Sequence, residues 1–341
     1  MTAVDVPRRF ATLFARTALV IVAVSCAVVA AEIIIQLLAT YALGRGRLME
    51  YDRTLGWRVQ PNLNVTRRNP EGEPWTVRTN ACGLRTACDW PPDAERRLLV
   101  LGDSFAFGEG VSIESRFDVL VAQRRPAEAI VNIGAMGYGT DQQIVAARPF
   151  VSRLRPGDVV LVVVYGNDFY DILRQRFAGR PKPWFERDGM RVLEHPPVFS
   201  GLDFLRDRSY LAALLGTLTE REQASYSTGE IEASIALFLA MLNGEIDRWL
   251  SKGLSVVLVR HGMEHVTSGR PAQVERQLGE AWQALCARAA GVHCTDLDST
   301  LSPEDLQRDG HWNARGHQAV ALHLHQVLDA VATSYRLPPA S

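Results

Sequence analysis

LLVLGDS (Leu98–Ser104) sets four aliphatic residues directly before a Gly-Asp-Ser turn. A run this short, apolar on both faces and bounded by turn residues, suits a strand covered on both sides better than an amphipathic helix. The pattern recurs in AIVNIG (Ala129–Gly134), DVVLVVVYGND (Asp158–Asp168), LSVVLVRH (Leu254–His261) and VHCTDL (Val292–Leu297). Helical periodicity fills the intervals around Phe117–Gln123, Thr140–Leu154, Ile231–Leu250 and Gln273–Ala290, and closes the chain over Gln318–Tyr335. Strands alternating with helices predict an α/β domain built on a doubly wound, flavodoxin-like parallel sheet. Phe169–Gly229 breaks the rhythm. Within it, WFERDGMRVLEH (Trp184–His195) places Asp188-Gly189 between alternating runs, which predicts a hairpin. The segment reads as an insertion over the carboxyl ends of the strands, where open α/β sheets hold their sites.

Composition narrows the rest. The 341 residues are 47% hydrophobic and 22% charged, with 37 Lys plus Arg against 38 Asp plus Glu. That balance excludes a disordered chain and gives no basic excess for nucleic acid. The start of the chain departs from the average. TALVIVAVSCAVVAAEIIIQLLATYAL (Thr17–Leu43) runs 27 residues with Glu32 as its one charged group. As a helix it reaches about 40 Å, more than the roughly 30 Å of a bilayer's hydrocarbon. Arg8, Arg9 and Arg16 precede it and Arg45 and Arg47 follow, so the charge bias across it is weak. Val29-Ala30-Ala31 could be a signal-peptide cleavage site, but cutting there would leave EIIIQLLATYAL as an exposed apolar helix, so an uncleaved anchor is favoured. The expected organisation is a cytoplasmic N-terminus (1–16), a transmembrane helix (17–43), an irregular, proline-rich lead-in packed on the main domain (44–95), and a catalytic domain (96–341) carrying the insertion 169–229.

The polar residues at the strand ends carry the chemistry. Ser104 follows the first strand at the start of a helix, with free backbone N–H groups beside it. The second strand runs into GAMGYG (Gly134–Gly139), a turn whose backbone can approach a ligand closely. The third ends in Gly166-Asn167-Asp168, and Asp309-Gly310-His311 stands near the C-terminus. A nucleophile, candidate oxyanion donors and an Asp/His pair on one sheet edge form the parts list for acyl transfer. Asp168, Asp309, His311 and His317 make only a loose metal pattern, so neither a metal nor a cofactor is expected.

Taken together these blocks resemble the SGNH hydrolases, also called the GDSL esterase/lipase family. LGDSFAFGEGV matches the first block, with Ser104 as nucleophile. NIGAMGYGTDQ resembles the second, with Gly137 as backbone oxyanion donor and Gly139 as the alternative. YGNDF matches the third, aligning Asn167 with the oxyanion asparagine. DGHWNARGH resembles the last, with Asp309 and His311 as the Asp-His pair. Many members carry Asp-x-x-His; the Asp-x-His found here looks like that of polysaccharide acetyl-group enzymes of the superfamily. YDRTLGWRVQPN (Tyr51–Asn62) and VRTNACGLR (Val77–Arg85) also resemble a membrane-anchored bacterial branch, which implies a catalytic domain on the periplasmic side.

The resemblance implies the SGNH hydrolase fold and a serine esterase with Ser104, His311 and Asp309 as its triad. The oxyanion would be held by the backbone of Ser104 and Gly137 and by Asn167. The expected substrate is an O-acetyl or other O-acyl group on an envelope or secreted polysaccharide. Trp184, Phe185, Tyr165, Tyr170 and Trp312 are expected to line the sugar site. Alternatives are a lipid esterase or lysophospholipase, with Phe105, Phe107, Met136 and Phe169 lining an acyl pocket, an O-acyltransferase using the same triad, or an inactive glycan-binding scaffold. Four cysteines lie outside the apolar run. An oxidising compartment would pair those close in sequence, Cys82 with Cys88 and Cys286 with Cys294, although four cysteines allow three connectivities and a reducing compartment would leave thiols.

Overall fold

A computed structural model describes residues 5–42, 47–189, 191–206, 208–219 and 226–334. Its central sheet comprises β1 (Arg96–Leu101), β2 (Glu128–Asn132), β3 (Val159–Tyr165), β4 (Ser255–His261) and β5 (Val292–Asp296). All pairs are parallel, and the order across the sheet is β5-β4-β3-β1-β2. This is the flavodoxin-like order. Its connections leave β1 and β3 in opposite directions, which opens a crevice at their carboxyl ends.

Alternation along the strands explains the layering. Leu99, Leu101, Val160, Val162, Val256 and Leu258 face one side. They pack there against α4 (Thr140–Val151), α7 (Thr228–Ser251) and α8 (Ala272–Cys286). Leu98, Val100, Leu161, Val163, Val257 and Val259 face the other side and meet α3 (Phe117–Arg124) and α9 (Ala314–Ser334). Ser227 begins α7 with a capping box: its side chain accepts the Glu230 N–H, while the Glu230 carboxylate accepts the Ser227 N–H.

The lead-in is less irregular than its sequence suggests. It forms two antiparallel hairpins, Met49–Asp52 with Gly56–Val59 and Asn64–Arg68 with Pro74–Arg78. Strands of four or five residues flanked by prolines leave too short a pattern to read. What fixes them is tertiary: Trp57, Val59, Trp75 and Val77 are buried together with Phe107, Ala135 and Tyr138 of the main domain. Each such side chain contributes about 1.5–3 kcal/mol by leaving water. The Tyr138 hydroxyl donates to the Trp57 carbonyl at 2.6 Å, and the Trp57 indole donates to the Met136 carbonyl at 3.1 Å. The disulfides join Cys82 to Cys88 and Cys286 to Cys294.

The N-terminal helix α1 spans Asp5–Leu37. Phe10–Thr40 is long and apolar enough to be a membrane span or a signal sequence. The insertion contains the hairpin Trp184–Asp188 with Arg191–His195; Met190, within its turn, lies outside the described residues. It also contains two short helices absent from the sequence reading, α5 (Gly201–Arg206) and α6 (Tyr210–Thr219).

Candidate active site

Ser104 opens α2 (Ser104–Phe107), a single turn sunk between the ends of β1 and β2. Glycine makes this possible: a Cβ on Gly102 or Gly134 would lie 2.5 or 2.6 Å from the Ala106 Cβ. Asn132 ties the turn down, donating to the Ala106 carbonyl at 2.8 Å and accepting the Gly134 N–H at 2.9 Å. Asp103 caps α2 by accepting the Phe105 N–H at 3.0 Å. The Ser104 side chain therefore has no capping duty.

The Ser104 Oγ lies 2.8 Å from His311 Nε2. Asp309 Oδ1 lies 3.1 Å from His311 Nδ1 and accepts the His311 backbone N–H at 3.2 Å. The two-residue spacing holds the carboxylate against its own turn, so its approach to Nδ1 is bent rather than linear. The loop is fixed from below. Gln307 donates to the carbonyls of Glu109 and Trp312, and buried Trp312 packs against Phe105 and Phe117.

A second carboxylate, which the sequence reading missed, approaches the imidazole: Glu109 Oε2 is 3.7 Å from His311 Nε2. Burial disfavours the His311 cation, but Asp309 and Glu109 outweigh it and raise the pKa above the ordinary histidine value. Burial raises the pKa of Glu109, although the charges of His311 and Arg67 oppose it. Burial also acts on Asp309, but its contacts with His311 hold its pKa below the usual carboxylate range.

Gly137 has φ +72°, and a Cβ there would lie 2.4 Å from the Phe177 ring. Both conditions demand glycine. Gly139 instead precedes α4, where a Cβ would meet Asp141 Oδ1 at 2.8 Å. Gly137 lines the cleft and Gly139 does not. Asn167 follows β3 across the crevice; its Nδ2 donates to Asp171 Oδ2 at 3.0 Å. Asp171 is buried, which pushes its pKa up to about 7 despite Lys182 and Arg174. Lys182, itself buried, donates to Asp141 and to the Asp171 carbonyl and ties the insertion to this corner.

These groups open into a cleft of about 380 Å³. Besides Ser104, Gly137, Asn167, Asp309 and His311, its walls include Trp57, Tyr165, Phe177, Arg180 and Glu109. Of the aromatics expected around a sugar, only Tyr165 is there. Trp184 stacks on His195, Tyr170 on Tyr226, and Phe185 and Trp312 are buried in the core. Of the residues expected in an acyl pocket, Phe105 and Met136 line the cleft, whereas Phe107 packs under the lead-in and Phe169 against Phe238. Sequence position gave no sign that the lead-in would supply Trp57 or the insertion Phe177. Glu109 was within the quoted first block, but its reach depends on α2 ending after one turn at Gly108. His317, part of the loose metal pattern, is buried and accepts the Phe117 N–H at 3.3 Å.

The GDSL-like Lipase/Acylhydrolase family model matches residues 100–319. Among solved structures, the chain is similar to a lipolytic G-D-S-L protein from Veillonella parvula DSM 2008, at 14% identity over 69% of this chain and 98% of that one (TM-score 0.42). It is similar to a carbohydrate esterase family 2 enzyme with a carbohydrate binding domain from Corynascus thermopiles (Myceliophthora fergusii), at 15% identity over 77% and 72% (TM-score 0.43). A psychrotrophic esterase from Pseudoalteromonas sp. shares 10% identity over 70% and 100% (TM-score 0.43). No curated protein matches. The matched span holds the serine turn, the glycine turn, the asparagine and the Asp-x-His loop that meet at one crevice, and it covers more than half of the chain: the chain belongs to the GDSL-like lipase/acylhydrolase family of ester-hydrolysing enzymes.

Proposed function

We propose that Ser104 is the nucleophile, His311 its general base and Asp309 the group that orients the imidazole, acting on O-acetyl groups of an envelope or secreted polysaccharide. Ser104 Oγ attacks the acyl carbon as its proton passes to His311 Nε2. The backbone N–H groups of Ser104 and Gly137 and the Asn167 amide stabilise the oxyanion. Collapse expels the sugar oxygen, which takes the proton from His311. Water then attacks the acyl-enzyme, with the same base, and acetate leaves.

The observation that carries the substrate reading is the lining of the cleft beside Ser104. Tyr165 and Phe177 bring ring faces to the cleft beside buried Trp57, while Glu109 and Arg180 add charged groups to its lining. Sugars have apolar ring faces and hydroxylated edges, and this combination suits both. A fatty-acyl site would gain nothing from the charged groups. Aryl acetate, butyrate and decanoate assayed on the full chain in nanodiscs test the reading. Overpacking by longer chains is expected to lower kcat/KM for decanoate by about 10- to 100-fold against acetate. A rise from acetate to decanoate would establish a lipid esterase instead. No hydrolysis of any ester, with acetyl transfer to an added glycan, would establish a transferase.

Glu109 makes a pH prediction. His311 must be neutral to accept the proton, so kcat/KM falls as pH drops through its raised pKa. Glu109→Gln removes a negative charge 3.7 Å from Nε2. The acid limb of the profile is expected to move to lower pH, with little change on the alkaline side. An unmoved limb would mean that Glu109 does not face the imidazole in the working enzyme.

We also propose that α1 crosses the membrane once, with residues 1–16 cytoplasmic and the catalytic domain outside. Two disulfides suit an oxidising compartment. Ile33, Ile34, Leu37 and Leu38 are exposed on the segment that signal cleavage would leave behind, which favours an uncleaved anchor. A C-terminal alkaline phosphatase fusion is expected to be active; an inactive one would reverse the topology.

A further inference from the structure

The insertion turns an apolar surface away from the catalytic domain. Val198, Leu202, Leu205 and Leu215 are 75%, 64%, 53% and 52% exposed. α6 reads YLAALLGTLT, without a charge. Its start is docked on α1. The Glu32 carboxylate accepts the Ser209 hydroxyl at 2.6 Å and the backbone N–H groups of Tyr210 and Leu211 at 2.7 and 2.9 Å. Glu32, Ile35 and Ala39 form a half-buried stripe at helical spacing, while the remaining apolar faces of α1 stay open.

We infer that α5 and α6 form a second membrane element, embedded in the leaflet that holds the carboxyl-terminal end of α1, with bilayer lipid covering their apolar faces. The inference rests on the reading of α1 as a membrane span. Depth supports it. Glu32 lies eight residues before Thr40, about 12 Å along the helix, so α6 starts beside the apolar run and not beyond it. A helix start in lipid needs acceptors for its N–H groups, since no water is there to serve. Glu32 supplies them, which accounts for a carboxylate in an otherwise uncharged run. The apolar patch is also continuous with the open faces of α1. A protein-binding patch would be bounded by its own polar rim. Arg208 lies 3.9 Å over the Phe204 ring and Arg47 lies 4.1 Å over the Tyr210 ring, which leaves each cation on an aromatic face.

The arrangement reaches the cleft. Arg206 of α5 donates to the Gly179 carbonyl at 3.1 Å, between the cleft residues Ala178 and Arg180. Lipid contact at α5 thereby fixes the cleft wall relative to the bilayer as well as the distance of the domain from it.

The test uses the full chain with Cys26→Ser and single cysteines at Leu205, Leu215, Val22 or Arg315, each carrying an environment-sensitive fluorophore. The protein is reconstituted into phosphatidylethanolamine/phosphatidylglycerol vesicles containing nitroxide-tailed phospholipid. Labels at Leu205 and Leu215 are expected to lose fluorescence to the same extent as Val22, with Arg315, exposed on the catalytic domain, unaffected. Quenching at Val22 with Leu205 and Leu215 at the level of Arg315 would overturn the inference and leave the span standing. No quenching at any position would remove the span and the inference together.

Discussion

Ser104→Ala is expected to lower kcat for aryl acetate hydrolysis by about 10⁵- to 10⁶-fold. That equals about 7–8 kcal/mol of barrier, more than any contact of one hydroxyl supplies to a folded ground state. The Oγ is held by His311 alone among the contacts described above, and Asp103 caps α2 without it. The fold should therefore survive, with a thermal midpoint close to that of the parent. Fluorophosphonate labelling should vanish with activity. His311→Ala should cost about as much, and the double variant no more than either, because nucleophile and base act as a unit. Labelling that persists in Ser104→Ala, or a loss below tenfold, would remove Ser104 from the reaction.

What was legible from sequence follows from how local each signal is. β1 and β3 are apolar on both faces, so their position in the sheet could be read without knowing their neighbours. Ser104 and Asn167 follow those strands directly, and parallel topology then brings both to one crevice. Block position favours Gly137 over Gly139; in the fold Gly137 lines the cleft and Gly139 does not, and a Cβ on either would be crowded. The cleft walls had no such local signature. Trp57 and Phe177 come from short hairpins whose strands are fixed by contact with the domain, and Phe177 comes from a two-residue strand. Aromatic residues are easy to find in a sequence, but the side they take depends on faces set only after folding. Trp184, Tyr170 and Trp312 accordingly turned away from the cleft. α5 and α6 escaped notice because their apolar residues face α1 and the exterior, so no core-facing stripe marks them. In the sequence Glu32 is only the one charged group of the apolar run. Its three donors come from residues 209–211, a separation no periodicity reports.

Asn167→Ala is expected to lower kcat by about 10²- to 10³-fold with KM little changed, which is the cost of one lost oxyanion donor. The orientation of the amide is what makes the effect specific. One Nδ2 hydrogen is committed to Asp171 Oδ2 at 3.0 Å, and Asp171 is held in place by burial and by Arg174 at 3.2 Å. The same amide also bonds the buried Asp103 carboxylate, which holds it at the crevice beside Ser104. Alanine removes both contacts, so folding should lose about 1 kcal/mol per bond, while the barrier rises by about 3–4 kcal/mol. Asp171→Ala separates orientation from donation. It keeps the amide but leaves it held by Asp103 alone, so its kcat should fall less than that of Asn167→Ala, again without a rise in KM. Asn167→Asp should be as damaging as alanine or more so, because a carboxylate there places negative charge or an undirected proton where the oxyanion forms. A large rise in KM with kcat unchanged in Asn167→Ala would instead make this residue a contact for bound substrate. The oxyanion would then rest on the backbone of Ser104 and Gly137 alone.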